Sequence, residues 1–191
     1  DLDLTRLLPG PMCTLHLADM GADVVKIEDP AGGDYGRALG AMKVANAGLF
    51  LAVNRNKRGL RLDLKQAAGR EVFLRLARDA DVVVESFRPG VVDRLGIGYA
   101  AVSALNPRIV YCAITGYGQY GPRADVAAHD LNYVSDSGML GLTAGADGAP
   151  VLPPALTADI AGGTYPAVLN ILLPRREPDL TGLGSILDVA R

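Results

Sequence analysis

The chain has 191 residues and a mass of 19.9 kDa, enough to bury roughly 70% of the surface its unfolded form exposes and so to build one hydrophobic core. Hydrophobic residues make up 49% and charged residues 21%, with a net charge of -2, which argues against disorder and against a broad nucleic-acid-binding surface. The best apolar stretch, residues 155–173, is broken by Asp159, Gly162, Gly163, Pro166 and Asn170, so a membrane span of ~20 apolar residues is not expected. Cys13 and Cys112 lie far apart without metal-ligand or CxxC spacing, which predicts no zinc site, no disulfide framework and a reducing, cytoplasmic setting.

In chain order, residues 11–20 read as a helix with Pro11 in its first turn and Gly21 beyond its end. Strands follow at residues 23–28 (DVVKIE) and 59–64 (GLRLDL). Residues 66–78 form an amphipathic helix with Val72, Phe73, Leu76 and Ala77 on the apolar side. Two more strands are predicted at residues 80–87 (ADVVVESF) and 108–115 (RIVYCAIT), with a helical turn at 101–105 between them. This alternation predicts an α/β fold with a mainly parallel, Rossmann-like sheet and flanking helices. Beyond Gly116 come a glycine-rich turn, a polar segment, a loop over 143–154 and a small-residue helix from about Ala158 to Leu172. The expected organisation is a domain over residues 1–173, then a linker and the start of a next lobe over 174–191, where residues 185–190 (SILDVA) read as a strand.

Gly116-Tyr-Gly-Gln-Tyr-Gly121 matches G-x-G-x-x-G after a strand, but Pro122 and a polar stretch follow where a dinucleotide loop needs a helix. A structural glycine turn is the preferred reading. Basic residues Arg37, Asn54-Arg-Asn-Lys-Arg58, Lys65, Arg88 and Arg94 lie in or beside loops at strand ends, which favours an anionic, phosphate-bearing small molecule. His16 reads as a packed helix residue. His129, beside Asp130 in a loop, and Asp159, at the start of an apolar helix, each have a structural alternative, a surface histidine and a first-turn acid respectively.

The strings Asp3-Leu-Thr-Arg-Leu-Leu-Pro-Gly-Pro11, Leu17-Ala-Asp-Met-Gly-Ala-Asp-Val-Val-Lys-Ile-Glu28, Asn54-Arg-Asn-Lys-Arg58 with Leu62-Asp-Leu-Lys65, Glu85-Ser-Phe-Arg-Pro-Gly90 and Gly116-Tyr-Gly-Gln-Tyr-Gly-Pro122 together resemble the family III CoA-transferases, the CaiB/BaiF superfamily. His129-Asp130 with Asn132-Tyr133 is similar to the α-methylacyl-CoA racemase branch. The resemblance implies an acyl-CoA substrate, no cofactor beyond the coenzyme A that the substrate carries, an interlocked homodimer, and a chain that is roughly the N-terminal half of a longer enzyme. It assigns substrate and CoA binding to Arg37, Leu62, Asp63, Leu64, Lys65, Glu85, Ser86, Phe87, Arg94, Ala128, Leu131, Asn132 and Tyr133.

The chemistry so implied is inversion at the α-carbon of a 2-methylacyl thioester by two bases on opposite faces, His129 and Asp159, through an enolate. Asp130 is expected to support the imidazole, and backbone N–H groups near Gly162-Gly163 to stabilise the enolate. The alternative is CoA transfer, with Asp159 as the nucleophile of an acyl-aspartyl anhydride and His129 only positioning substrate. A non-catalytic acyl-CoA-binding lobe is the third expectation.

Overall fold

A computed structural model describes residues 1–40, 42–43, 46–173 and 182–191. In chain order the elements are β1 (Leu2–Asp3), α1 (Pro9–Asp19), β2 (Val24–Glu28), the hairpin β3 (Met42–Lys43) and β4 (Asn46–Ala47), α2 (Gly48–Asn54), β5 (Lys57–Arg61), α3 (Ala67–Ala77), β6 (Val82–Glu85), α4 (Val91–Arg94), α5 (Tyr99–Ser103), β7 (Val110–Thr115), α6 (Asp130–Asp136), a π-helix (Ala158–Thr164), α7 (Tyr165–Leu172) and β8 (Ser185–Ala190).

Every residue of β6 and β7 is buried, as continuous apolar runs are when a parallel sheet is covered on both faces. Successive side chains point to opposite faces, and this period sorts the core into two clusters. Val83 and Tyr111 pack with Phe73 and Ala77 of α3, Val92 of α4 and Val102 of α5. Val82, Val84, Val110, Cys112 and Ile114 pack with Cys13 and Leu17 of α1 and Ala167, Val168 and Ile171 of α7. Both cysteines are buried and free. Helix α3 buries Gly69, Phe73 and Ala77, one per turn, and a Cβ on Gly69 would meet the Asp63 carbonyl at 2.0 Å, so only glycine lets the helix start this close to the loop.

The six strands form one parallel sheet in the order β5-β2-β1-β6-β7-β8. The α/β, Rossmann-like expectation is therefore met. Among the details that differ from the sequence reading, three bear on the sheet and the small-residue helix. β1 was not anticipated, because it contributes only two residues to the ladder and one is Asp3. β5 lies at Lys57–Arg61 rather than 59–64, an edge strand whose basic residues give little apolar periodicity. The small-residue helix divides into a π-helix and α7, at whose second position Pro166 lacks an N–H for the regular ladder.

Residues 185–190 do form a strand, and it lies at the sheet's edge: β8 runs parallel to β7 from Ser185 opposite Val110 to Ala190 opposite Thr115. Pairing with β7 and burial of Val189 against α7 supply the reason. Residues 174–181 of the expected linker lie outside the described residues.

Candidate active site

From β1 the chain moves outward through β2 to β5, then crosses back to β6 on the other side of β1. At such a reversal the loops leaving the two central strands diverge and open a crevice at their carboxyl ends. Here the crevice holds a cleft of about 540 Å³. Its walls are Arg6 and Leu7 after β1, Ser86 to Pro89 after β6, Thr115 and Gly116 at the end of β7, Ala128, His129, Asn132 and Tyr133 around the start of α6, and Arg191 after β8. A smaller cavity of about 140 Å³ adjoins it at the ends of β2 and β5, lined by Leu62, Asp63, Leu64 and Lys65. Leu4, Arg6, Phe87 and Val91 line both, and the Arg6 guanidinium lies 5.7 Å above the Phe87 ring.

A buried charge network holds the β1 loop in place. Asp3 accepts hydrogen bonds from the hydroxyls of Thr5 (2.6 Å) and Thr14 (2.7 Å) and from Lys57 Nζ (3.0 Å). Lys26 Nζ donates to the Thr5 carbonyl at 2.8 Å and lies 3.0 Å from Asp34 Oδ2. Burial pushes the Asp3 carboxyl up, but Lys26, Lys57 and the two hydroxyls outweigh it and hold the group well below the usual carboxylate range. Asp34 in turn accepts the Leu7 N–H, at 3.1 Å to Oδ1, and pins Leu7 at a φ of 69°, a strained backbone for a branched residue, on the cleft wall.

The opposite wall is organised by α6 and the π-helix. Asn132 Oδ1 accepts the His129 N–H at 2.9 Å, closing the first turn of α6 and setting His129 at the cleft. Tyr133 donates from its hydroxyl to the Ala128 carbonyl at 2.9 Å. A Cβ on Gly116 would sit 2.6 Å from that hydroxyl, while Gly118 and Gly121 have φ of 85° and 102°. These needs account for the G-x-G-x-x-G: the loop closes on Tyr133, and α6 begins only at Asp130.

Asp159, in the first turn of the π-helix, is 4% exposed. Its N–H donates to Asp130 Oδ2 at 2.8 Å, and its Oδ1 accepts from Arg191 Nη1 at 2.9 Å. Burial raises the Asp159 carboxyl above its ordinary range, and Arg191 and His129 pull against that rise. Asp130 is thus bonded to the backbone of Asp159, and this contact orients the carboxylate-bearing turn.

The remaining sequence-assigned residues divide. Leu62, Asp63, Leu64, Lys65, Ser86, Phe87, Ala128, Asn132 and Tyr133 line the two cavities. Arg37 does not: its guanidinium forks onto Glu28 (2.9 and 2.6 Å), reaches Asn46 at 2.9 Å and lies 3.9 Å from the Phe50 centroid. The buried Glu28 carboxylate competes for this cation. Arg94 and Leu131 are exposed on α4 and α6, outside both cavity walls. Arg6, Thr115 and Arg191 line the cleft without having been singled out, and only strand order brings them to one place.

Glu85 is 2% exposed beneath the cleft and accepts the Phe87 N–H at 2.7 Å. Burial pushes its carboxyl up to about 7, helped by Asp93 and Asp188 and opposed by that hydrogen bond. The folded state therefore binds more protons than the unfolded chain between about 4.5 and 7, and stability falls as pH rises through that window. Glu85→Gln is expected to flatten this fall and to be the more stable protein above pH 7 by about 1–3 kcal/mol, read from urea unfolding at pH 5 and pH 8.

Fold and site together define a doubly wound α/β protein with a histidine on the wall of the switch-point crevice and a buried aspartate ion-paired to Arg191, another residue of that wall. The family model for CoA-transferase family III matches residues 2–191, and the chain belongs to that family. It is 40% identical over 190 residues to the succinyl-CoA:glutarate CoA-transferase of Mus musculus, covering 98% of this chain and 43% of the relative. It is 37% identical over 187 residues to the alpha-methylacyl-CoA racemase of Homo sapiens, covering 98% of this chain and 45% of that protein. The crystal structure of a CAIB/BAIF family protein from Brucella suis superposes with a TM-score of 0.93 at 38% identity, over 99% of this chain and 51% of the other. The chain thus spans about half the length of these relatives, or somewhat less. Among the described residues no helix is long and apolar enough to cross a membrane.

Proposed function

We propose that this chain carries the acyl-CoA site of an enzyme that inverts the α-carbon of 2-methylacyl-CoA thioesters, with His129 and Asp159 as its two acid–base groups. The observation that carries the reading is their juxtaposition. His129 lies on the cleft wall, and the buried Asp159, from a separate element, is tied to the next residue along: its N–H donates to Asp130 Oδ2 at 2.8 Å.

In this mechanism one group removes the α-proton from one face of the thioester, leaving an enolate, and the other returns a proton to the opposite face. Roles exchange for the other enantiomer. Burial suits Asp159 to this work, because a carboxylate of raised proton affinity is a better base near neutral pH. The smaller cavity, with Lys65 at its rim and Arg6 between the two spaces, is suited to the CoA arm and its phosphates. The interlocked homodimer belongs to this reading. Leu142, 86% exposed, and Leu152, 64% exposed, are apolar surface that a second chain would cover.

Incubation with a 2-methylacyl-CoA in D2O is expected to place deuterium at the α-carbon, and His129→Ala to slow that exchange by about 10²-fold or more. Absence of exchange in the unmodified protein overturns the reading. A second reading is CoA transfer, in which Asp159 attacks the thioester carbonyl, expels the CoA thiolate and retains the acyl group as an anhydride. The ion pair with Arg191, which favours an ionised carboxylate, and the transferase relative both support it. Trapping of a hydroxamate from enzyme-bound acyl groups, lost in Asp159→Asn, is its expected signature.

A further inference from the structure

We propose that Arg191 is the positioning residue for Asp159, a guanidinium seated in a cradle built by β7, α6 and the π-helix that fixes one carboxylate oxygen and leaves the other for the reacting group. The proposal rests on the reading that Asp159 acts on the substrate, in either of the chemistries above.

The cradle is made of independent contacts. Arg191 Nη1 donates to Asp159 Oδ1 at 2.9 Å, and its backbone N–H donates to the carbonyls of Thr115 and Gly116, each at 3.2 Å, at the end of β7. The guanidinium carbon lies 5.3 Å from the Tyr133 ring centroid, in cation–π range. The stem packs on the π-helix, where a Cβ at Gly163 would stand 2.9 Å from Arg191 Cγ, so the absence of a side chain there makes the room. With 17% of its side chain exposed, Arg191 is held rather than waving in solvent.

The consequence for Asp159 is orientational as well as electrostatic. Its N–H is tied to Asp130 and its Oδ1 to Arg191, while Oδ2 carries no hydrogen bond among the described residues. The charged and titratable groups around it are His129, Asp130 and Tyr133 at α6, Tyr35 on the loop after β2, and Arg191. On the α1 side the π-helix meets Pro9, which carries no charge. Arg191 is the cation in hydrogen-bond contact with the carboxylate, and it works against both burial and the like charge of Asp130.

The test compares Arg191→Met, which keeps the stem and removes the charge, with Arg191→Lys, which restores it. In Arg191→Met, kcat/KM for whichever reaction the protein catalyses is expected to fall 10–100-fold at neutral pH, and the acidic limb of its pH profile to move up by about one unit. Arg191→Lys is expected to return the limb toward its original position. Carboxyl-carbon NMR of labelled aspartate gives the same answer without turnover: the Asp159 resonance is expected to titrate at higher pH in Arg191→Met and nearer the parent value in Arg191→Lys. An unmoved Asp159 titration in Arg191→Met overturns the proposal, whereas a moved titration in a protein that neither exchanges nor transfers rejects the assigned function and keeps the proposal. Should the methionine variant fail to fold, Arg191→Gln takes its place as a second variant that removes the charge: an Asp159 titration raised above the parent value supports the proposal, and an unmoved one overturns it.

Discussion

Asp159→Asn is expected to reduce turnover by about 10³-fold or more while leaving the fold intact. The amide is nearly isosteric with the carboxylate, its carbonyl oxygen still accepts from Arg191, and the backbone N–H still reaches Asp130. It lacks the anionic oxygen, and with it the basicity and nucleophilicity, that either chemistry requires. In a racemase it cannot take the α-proton, and in a transferase it cannot form the anhydride. Steady-state assays with an acyl-CoA, read beside thermal unfolding, check this: full activity in a folded Asp159→Asn protein excludes both mechanisms at once. The two remain separable, because deuterium exchange and hydroxamate trapping report different bonds.

Lys57→Met is expected to destabilise the protein by about 3–5 kcal/mol, the range found when one partner of a buried ion pair is removed. Asp3 is 0% exposed, and Lys57 Nζ holds its Oδ2 at 3.0 Å while also donating to the Pro11 carbonyl at 2.8 Å and to Asn54 at 2.9 Å. Methionine keeps most of the stem volume, so the loss is electrostatic. Lys26, 4.0 Å from Asp3 Oδ2 and already 3.0 Å from Asp34, does not replace it. Such a loss is a large part of the ~5–15 kcal/mol typical of a domain. The sign with pH follows from the lowered Asp3 carboxyl. Its ionised form stabilises the fold above about 3.8, and that stabilisation is lost as pH falls toward the folded-state value. The gap between parent and variant is therefore expected to narrow below about pH 4. Urea unfolding across pH 3–7 measures it, and the double replacement Asp3→Asn/Lys57→Met is expected to recover part of the loss, since a neutral amide needs no cation beside it.

Much of the fold was legible because its central elements are locally consistent. β6 and β7 are uninterrupted β-branched runs, and α3 places Phe73 and Ala77 one turn apart. β1 was not legible, since a strand of two ladder residues that carries a buried aspartate has no apolar period to detect. α2 was missed for the opposite reason: Gly48–Asn54 is apolar almost throughout, with no polar face to mark a helix. In the site, His129 and Asp159 stood out through short motifs, while Arg6 and Arg191 carried no local signal.

The case of Arg37 marks the boundary. As a basic residue in a loop at a strand end, it has the same local features as a phosphate ligand, and nothing in its neighbours distinguishes the two. The sequence by itself determined the parallel α/β class and the family, and it offered His129 and Asp159 as candidates for acid–base or nucleophilic work, because these depend on side-chain chemistry and on periods within a few residues. Only the tertiary structure decided that Arg37 serves Glu28, that Asp130 holds the Asp159 backbone and that Arg191 meets Asp159. Those pairings join segments set side by side by the sheet and its loops. Which buried carboxylate a cation meets is settled by that order, through competition between desolvation and the nearest opposite charge.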